Sequence, residues 1–141
     1  MSRRSGQRGS VTLELVVWAP GLLLIIGLLI VAGRVNGANA AVEQAAGDAA
    51  RAASIARTPA AARSQALASA QRSLAAQSVQ CTTVIVDVDT SAFAVPAGQP
   101  ATVSATVSCP VRLTDLPIPG LGARTVSHTV VSSLDTFRER A

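Results

Sequence analysis

The chain carries nineteen consecutive residues without a charge, Leu15 to Gly33, bounded by Glu14 and Arg34. As a helix this run is about 28 Å long, close to the ~30 Å hydrocarbon core of a bilayer. The run is therefore read as a membrane span over 15–33, with the lipid bilayer as its first partner. Arg3, Arg4 and Arg8 precede it, whereas Arg34 follows it and the next arginine is Arg51. Positive charge concentrates on the cytoplasmic side of a first span. The N-terminus is thus expected inside and residues 35–141 outside. Ala38-Asn39-Ala40 has the form of a signal-cleavage site. Against cleavage, an ordinary signal core has about 7 to 15 apolar residues, and this run continues without a break into a helical pattern. Arg3-Arg4 lacks the apolar positions that follow a twin-arginine signal.

Setting aside the first 33 residues leaves about a hundred, enough for one small domain. Hydrophobic content is 49% but aromatic content only 2%. A core of Ala, Val, Leu and Ile is thin, which argues against a large cavity and a small-molecule substrate. The net charge of +4 sits mostly at the membrane edge, because residues 35–141 hold eight Arg against seven acids. There is no basic stripe with interleaved aromatics, so nucleic acid is not expected as a partner. One His and two distant Cys make no metal site at a common spacing. No Ser/His/acid set and no phosphate loop appear, so neither enzyme activity nor a cofactor is expected. Cys81 and Cys109 lie beyond the span, without CxxC spacing. Two thiols in an exported domain most simply form one disulfide. All twelve basic residues are Arg, which, with so much Ala, suggests a GC-rich bacterial genome.

From Val35 to Arg57 the sequence stays helical, and ten of the nineteen residues from Ala38 to Ala56 are Ala, the best helix former. Val35, Ala38, Val42, Ala45, Ala49, Ala52 and Ala56 follow a heptad seam. Gly33, Gly37, Ala41, Ala45, Ala49 and Ala53 form a second stripe at every fourth residue. Such a stripe lets helices approach closely, and three readings follow. It packs against neighbouring copies, it reflects alanine content alone, or it packs on the chain's own sheet. Asn39, Glu43, Arg51 and Ser54 lie off these stripes, toward water.

Thr58-Pro59 is expected to interrupt the helix, since a residue before proline avoids the α region and proline suits a first turn. Pro59 to Val79 reads as a second helix with Leu67, Ala70 and Leu74 on one face. After Cys81 the period becomes two. Val84, Val86 and Val88 share one face, as do Val103, Ala105 and Val107 in Thr102–Ser108. Leu116 to Gly120 reads as a turn, and Arg124 to Ser133 as a last strand. His128, among Thr and Ser, reads as plain surface. Matching apolar faces sets Val84 opposite Val107, Val86 opposite Ala105 and Val88 opposite Val103. Setting Cys81 opposite Cys109 would instead put Val84 against Thr106. A bulge, or a strand that starts after Cys81, would reconcile the two.

The expected fold class is α+β. It has a basic leader at 1–9, a transmembrane and stalk helix at 10–57, and a second amphipathic helix at 58–80. A small β-rich head of about three antiparallel strands follows at 81–141.

Arg8-Gly9-Ser10-Val11-Thr12-Leu13-Glu14, the apolar run containing Pro20, and Ala41-Val42-Glu43-Gln44-Ala45-Ala46 through Ala49-Ala50-Arg51-Ala52-Ala53 together resemble the TadE-like family. These are pilin-like proteins of the tight-adherence (Tad, or Flp) pilus system. The resemblance covers residues 8 to 57. It implies a minor pilin or pseudopilin of the bacterial cytoplasmic membrane, N-terminus inside and C-terminal domain outside, with access to the cell surface. It implies as partners other pilin-like subunits, the Tad assembly machinery and a prepilin peptidase. Carried over, Gly9 is the last leader residue, Ser10 the new N-terminus and Glu14 the acid that docks subunits. Many relatives place an aromatic residue after that acid, where this chain has Leu15. A second reading keeps the leader and makes the chain an uncut single-pass anchor for an extracytoplasmic interaction domain. Trp18 is placed as an interfacial anchor near the cytoplasmic side.

Overall fold

The structure, a computed structural model, describes residues 10–112 and 123–135. Helix α1 runs Ser10–Ser54 and α2 Pro59–Ala76; strands β1 (Ile85–Asp89), β2 (Thr102–Arg112) and β3 (Ala123–Ser133) follow. The fold is α+β, with two helices and a three-stranded antiparallel meander in the order β1-β2-β3. A 3-10 turn, Ser91–Ala94, lies between β1 and β2. The leader 1–9 and the turn expected at 116–120 fall outside the described residues. The chain divides into two compact units between Val35 and Asn36.

The C-terminal unit is built on alanine. Ala38, Ala41, Val42, Ala45, Ala46, Ala49, Ala50 and Ala53 of α1 are buried in one cluster with α2 and the sheet. The small-residue stripe from Ala41 to Ala53 thus packs inside the chain's own fold. Small side chains let α1 and α2 come close enough for the Ser69 hydroxyl to donate to the Asp48 carbonyl at 3.3 Å. Ser54, expected toward water, is buried instead. Its hydroxyl donates to the Arg51 carbonyl at 2.9 Å, which makes burial of a polar side chain tolerable.

Helix α1 stops at Ser54, three residues short of the expected Arg57. Thr58 must be extended ahead of proline, and its φ of −131° and ψ of 154° are so. Its hydroxyl then accepts the Ala61 N–H at 3.2 Å and caps α2. The buried row of α2 is Ala62, Ala66, Ala70 and Leu74. Leu67 does not join Ala70 and Leu74 in that row and is 39% exposed. A row at every fourth residue places its neighbour Leu67 off the face.

Helix α2 ends at Ala76 rather than Val79. The Val79 N–H bonds to the Leu74 carbonyl (3.2 Å) and the Ser78 N–H to the Ala75 carbonyl (3.1 Å). This is the Schellman pattern. Ser78 supplies its left-handed residue, with φ of 56°.

The sheet buries Val88, Val103, Ala105, Val107, Cys109 and Val126 against the helices. Its other face carries hydroxyls, and two pairs bridge β2 and β3. Thr106 and Thr129 are 2.8 Å apart, and Ser108 and Ser127 are 2.9 Å apart. His128 stands opposite Val107 and is half-buried, so it is not plain surface. The observed register pairs Val86 with Val107 and Val88 with Ala105. Both registers expected from the sequence are therefore corrected. The apolar match was off by two residues, a slip that leaves every side chain on its face and so leaves no mark in the pattern.

Candidate membrane and assembly segment

Helix α1 begins at Ser10, and Glu14 follows four residues later, about one helical turn on. The helix is assigned without interruption through Pro20. Within the N-terminal unit, every Val, Leu, Ile and Trp from Val16 to Ile30 is exposed, from 44% at Ile26 to 73% at Trp18 and Leu24. A water-soluble surface rarely holds so large a contiguous apolar patch. This helix is long and apolar enough to cross a membrane. The glycines within it have open space around them: a Cβ added at Gly21, Gly27, Gly33 or Gly37 meets no atom within 4 Å.

Gly9 lies outside the described residues. Ser10 and Glu14 are placed by the backbone of α1. Cys81 and Cys109 lie in the C-terminal unit and are joined as a disulfide, Cα to Cα 5.2 Å. Cys109 is fully buried under the helices. Cys81 forms a single ladder bridge with Val111, separate from β1. Four positions separate Cys81 from Ile85, whereas three separate their ladder partners Val111 and Ser108. The extra residue on the first strand is a bulge-like offset. It brings the sulfurs together while the valine faces stay matched.

Among the described residues of the C-terminal unit, no charged side chain is fully buried. Asp89 accepts the Ser91 N–H at 2.9 Å. That bond first, and the Ser91 hydroxyl next, hold its carboxyl below the ordinary value of 3.8. Arg63 donates to the Thr90 hydroxyl at 3.0 Å, tying α2 to the end of β1. Among the described residues, no group of three or more His, Cys, Asp or Glu is placed to hold a metal ion.

The sequence pointed to the apolar helix and the two cysteines. It did not point to the pairing of hydroxyls across β2 and β3, because each Ser or Thr taken singly looks like ordinary solvent-facing strand.

No curated protein and no solved structure matches the chain. Residues 9–51, which contain the apolar run and most of the alanine-rich part of α1, match the family model described as TadE-like protein, and over this stretch the chain is similar to that family.

Proposed function

We propose that this chain is a minor pilin or pseudopilin, a structural component for assembly of a Tad-type pilus or secretion filament. It enters the bacterial cytoplasmic membrane through residues 15–33 with its N-terminus inside. Residues 35–141 stand outside, where an oxidising compartment favours the Cys81–Cys109 bond. The observation that carries the reading is the coincidence of the exposed apolar part of α1 with the TadE-like match at 9–51.

In this reading a prepilin peptidase cuts after Gly9 on the cytoplasmic side. The cut removes Arg3, Arg4 and Arg8 and leaves an ammonium at Ser10. A carboxylate at the edge of hydrocarbon needs a partner or a wet position. In a bundle of such helices, Glu14 of one subunit meets the Ser10 ammonium of its neighbour. Their attraction is strong at low dielectric, and desolvation offsets much of it. The partners are other pilin-like subunits and the Tad assembly machinery, with no small-molecule substrate or nucleic acid.

The second reading, an uncut single-pass anchor displaying an interaction domain, is favoured by Leu15 where many relatives carry an aromatic residue. It is also favoured by the burial of the Ala41–Ala53 stripe in the chain's own core. Glu14→Ala and Glu14→Gln separate the two. Under the subunit reading both variants insert in the membrane at wild-type levels and are depleted from sheared surface filaments. Wild-type incorporation of both would remove the docking role of Glu14.

A further inference from the structure

Outside the apolar part of α1, the large hydrophobic residues left exposed among the described residues are Ile55, Leu67, Ile85 and Val131. Two of them sit beside pairs of exposed charges, basic at one and acidic at the other. Ile55, 73% exposed, lies four residues after Arg51 and two residues before Arg57, at the corner between α1 and α2. Ile85, 56% exposed, shares the outer face of β1 with Asp87 and Asp89. From Arg51 to Val86 the chain has four Arg and no acid, and the nearest acid before the corner is the half-buried Asp48, one turn back on α1. Arg51, Arg57, Asp87 and Asp89 are all exposed. None of the four forms an ion pair within the described residues.

The spacings also correspond. Arg51 lies in the last turn of α1 and Ile55 just past its end, about 6 Å on at helical rise. Two strand residues separate Ile85 from Asp87 by about 7 Å. An exposed aliphatic residue beside two arginines therefore matches an exposed aliphatic residue beside two aspartates. Interface centres favour apolar anchors and Arg, and complementary charge around them sets register and partner choice.

We propose that these are two halves of one contact between copies of this chain. The Arg51–Ile55–Arg57 corner docks on the outer face of β1, at Ile85, Asp87 and Asp89, of a second copy. This deepens the subunit reading by naming one partner surface, and it rests on that reading for its expectation of self-assembly.

The test uses the full chain in nonionic detergent micelles, with sedimentation equilibrium at low and high salt. Two charge-reversed chains are made, Arg51→Glu/Arg57→Glu and Asp87→Arg/Asp89→Arg. Unchanged thermal unfolding shows that each keeps its fold. Wild type is expected to self-associate, more weakly at high salt, and each reversed chain at least about tenfold more weakly than wild type. An equimolar mixture of the two restores association, because each reversed face then meets its opposite. Wild-type association by either reversed chain, or a mixture no stronger than its parts, overturns the contact. So does a corner variant that loses only its binding to micelles doped with phosphatidylglycerol, which would assign the corner to a lipid surface. N-terminal mass on the same samples separates the two proposals. A chain starting at Ser10 whose association ignores these charges overturns the contact alone. A chain starting at Met1 whose association follows them overturns the processing alone.

Discussion

Cys81 stands opposite Val111 in the strand ladder, yet its sulfur is bonded to Cys109, two residues back along β2. The bond crosses the ladder diagonally at the point where the first strand carries its extra residue. It closes a long loop, with 28 positions between its ends, around the β1–β2 hairpin. The core it supports is made mostly of alanine, which contributes little burial per residue.

Reducing the disulfide, or replacing both cysteines with serine, is expected to cost about 3–4 kcal/mol by the chain-entropy account. Thermal unfolding of the detergent-solubilised chain, with and without reductant, measures it. The C-terminal unit should melt at markedly lower temperature when reduced, and an unchanged melting point would show that the core holds without the bond.

Ala45 is fully buried in the chain's own core, whereas Ala40 on the same helix is exposed. Ala45→Leu overfills that core and is expected to destabilise the C-terminal unit by about 1–3 kcal/mol. Ala40→Leu should stay within about 0.5 kcal/mol of wild type. An Ala45→Leu chain that melts like wild type but fails to assemble would return the stripe to the role of an intersubunit surface.

Ser78 adopts φ of 56° to close α2. Left-handed backbone strains any residue with a Cβ, and glycine is the usual occupant of this cap position. Relief of that strain, offset by the greater freedom of glycine in the unfolded chain, makes Ser78→Gly stabilising by about 0.5–1 kcal/mol, read as a raised melting temperature.

Asp89 has its carboxyl held below 3.8 by the Ser91 N–H and then the Ser91 hydroxyl. A folded-state value below the unfolded one gives stabilisation that is present above the ordinary value and lost as pH falls through the folded value. The Ser91–Ala94 turn should therefore keep its Ser91 amide protected at neutral pH and lose that protection below pH 3.8. Hydrogen exchange at Ser91 follows this, and Asp89→Ala should abolish the protection at every pH.

The faces of the strands were legible because period two is written directly in Val84-Val86-Val88 and Val103-Ala105-Val107. Their register was not, because a slip of two residues preserves those faces. Only the offset at Cys81 and the position of Val111 fix it. The break at Thr58-Pro59 was legible from proline sterics. The early end of α2 was not, because serine gives no sign of left-handed backbone. The fate of the alanine stripe depended on which element covers it, and helical spacing alone serves a neighbour and an internal core equally well. For the assembly segment, the apolar run and the TadE-like stretch were legible from charge spacing and the quoted motif.

In the function proposed above, the chain is a processed subunit, cut after Gly9 and held in the membrane by its N-terminal helix. Intact mass and N-terminal peptide mapping, on protein from membrane and surface fractions without reductant, test it most directly. The expected chain begins at Ser10 and is lighter by the hydrogens lost to the Cys81–Cys109 bond. A chain that begins at Met1, or at Ala41, would contradict it.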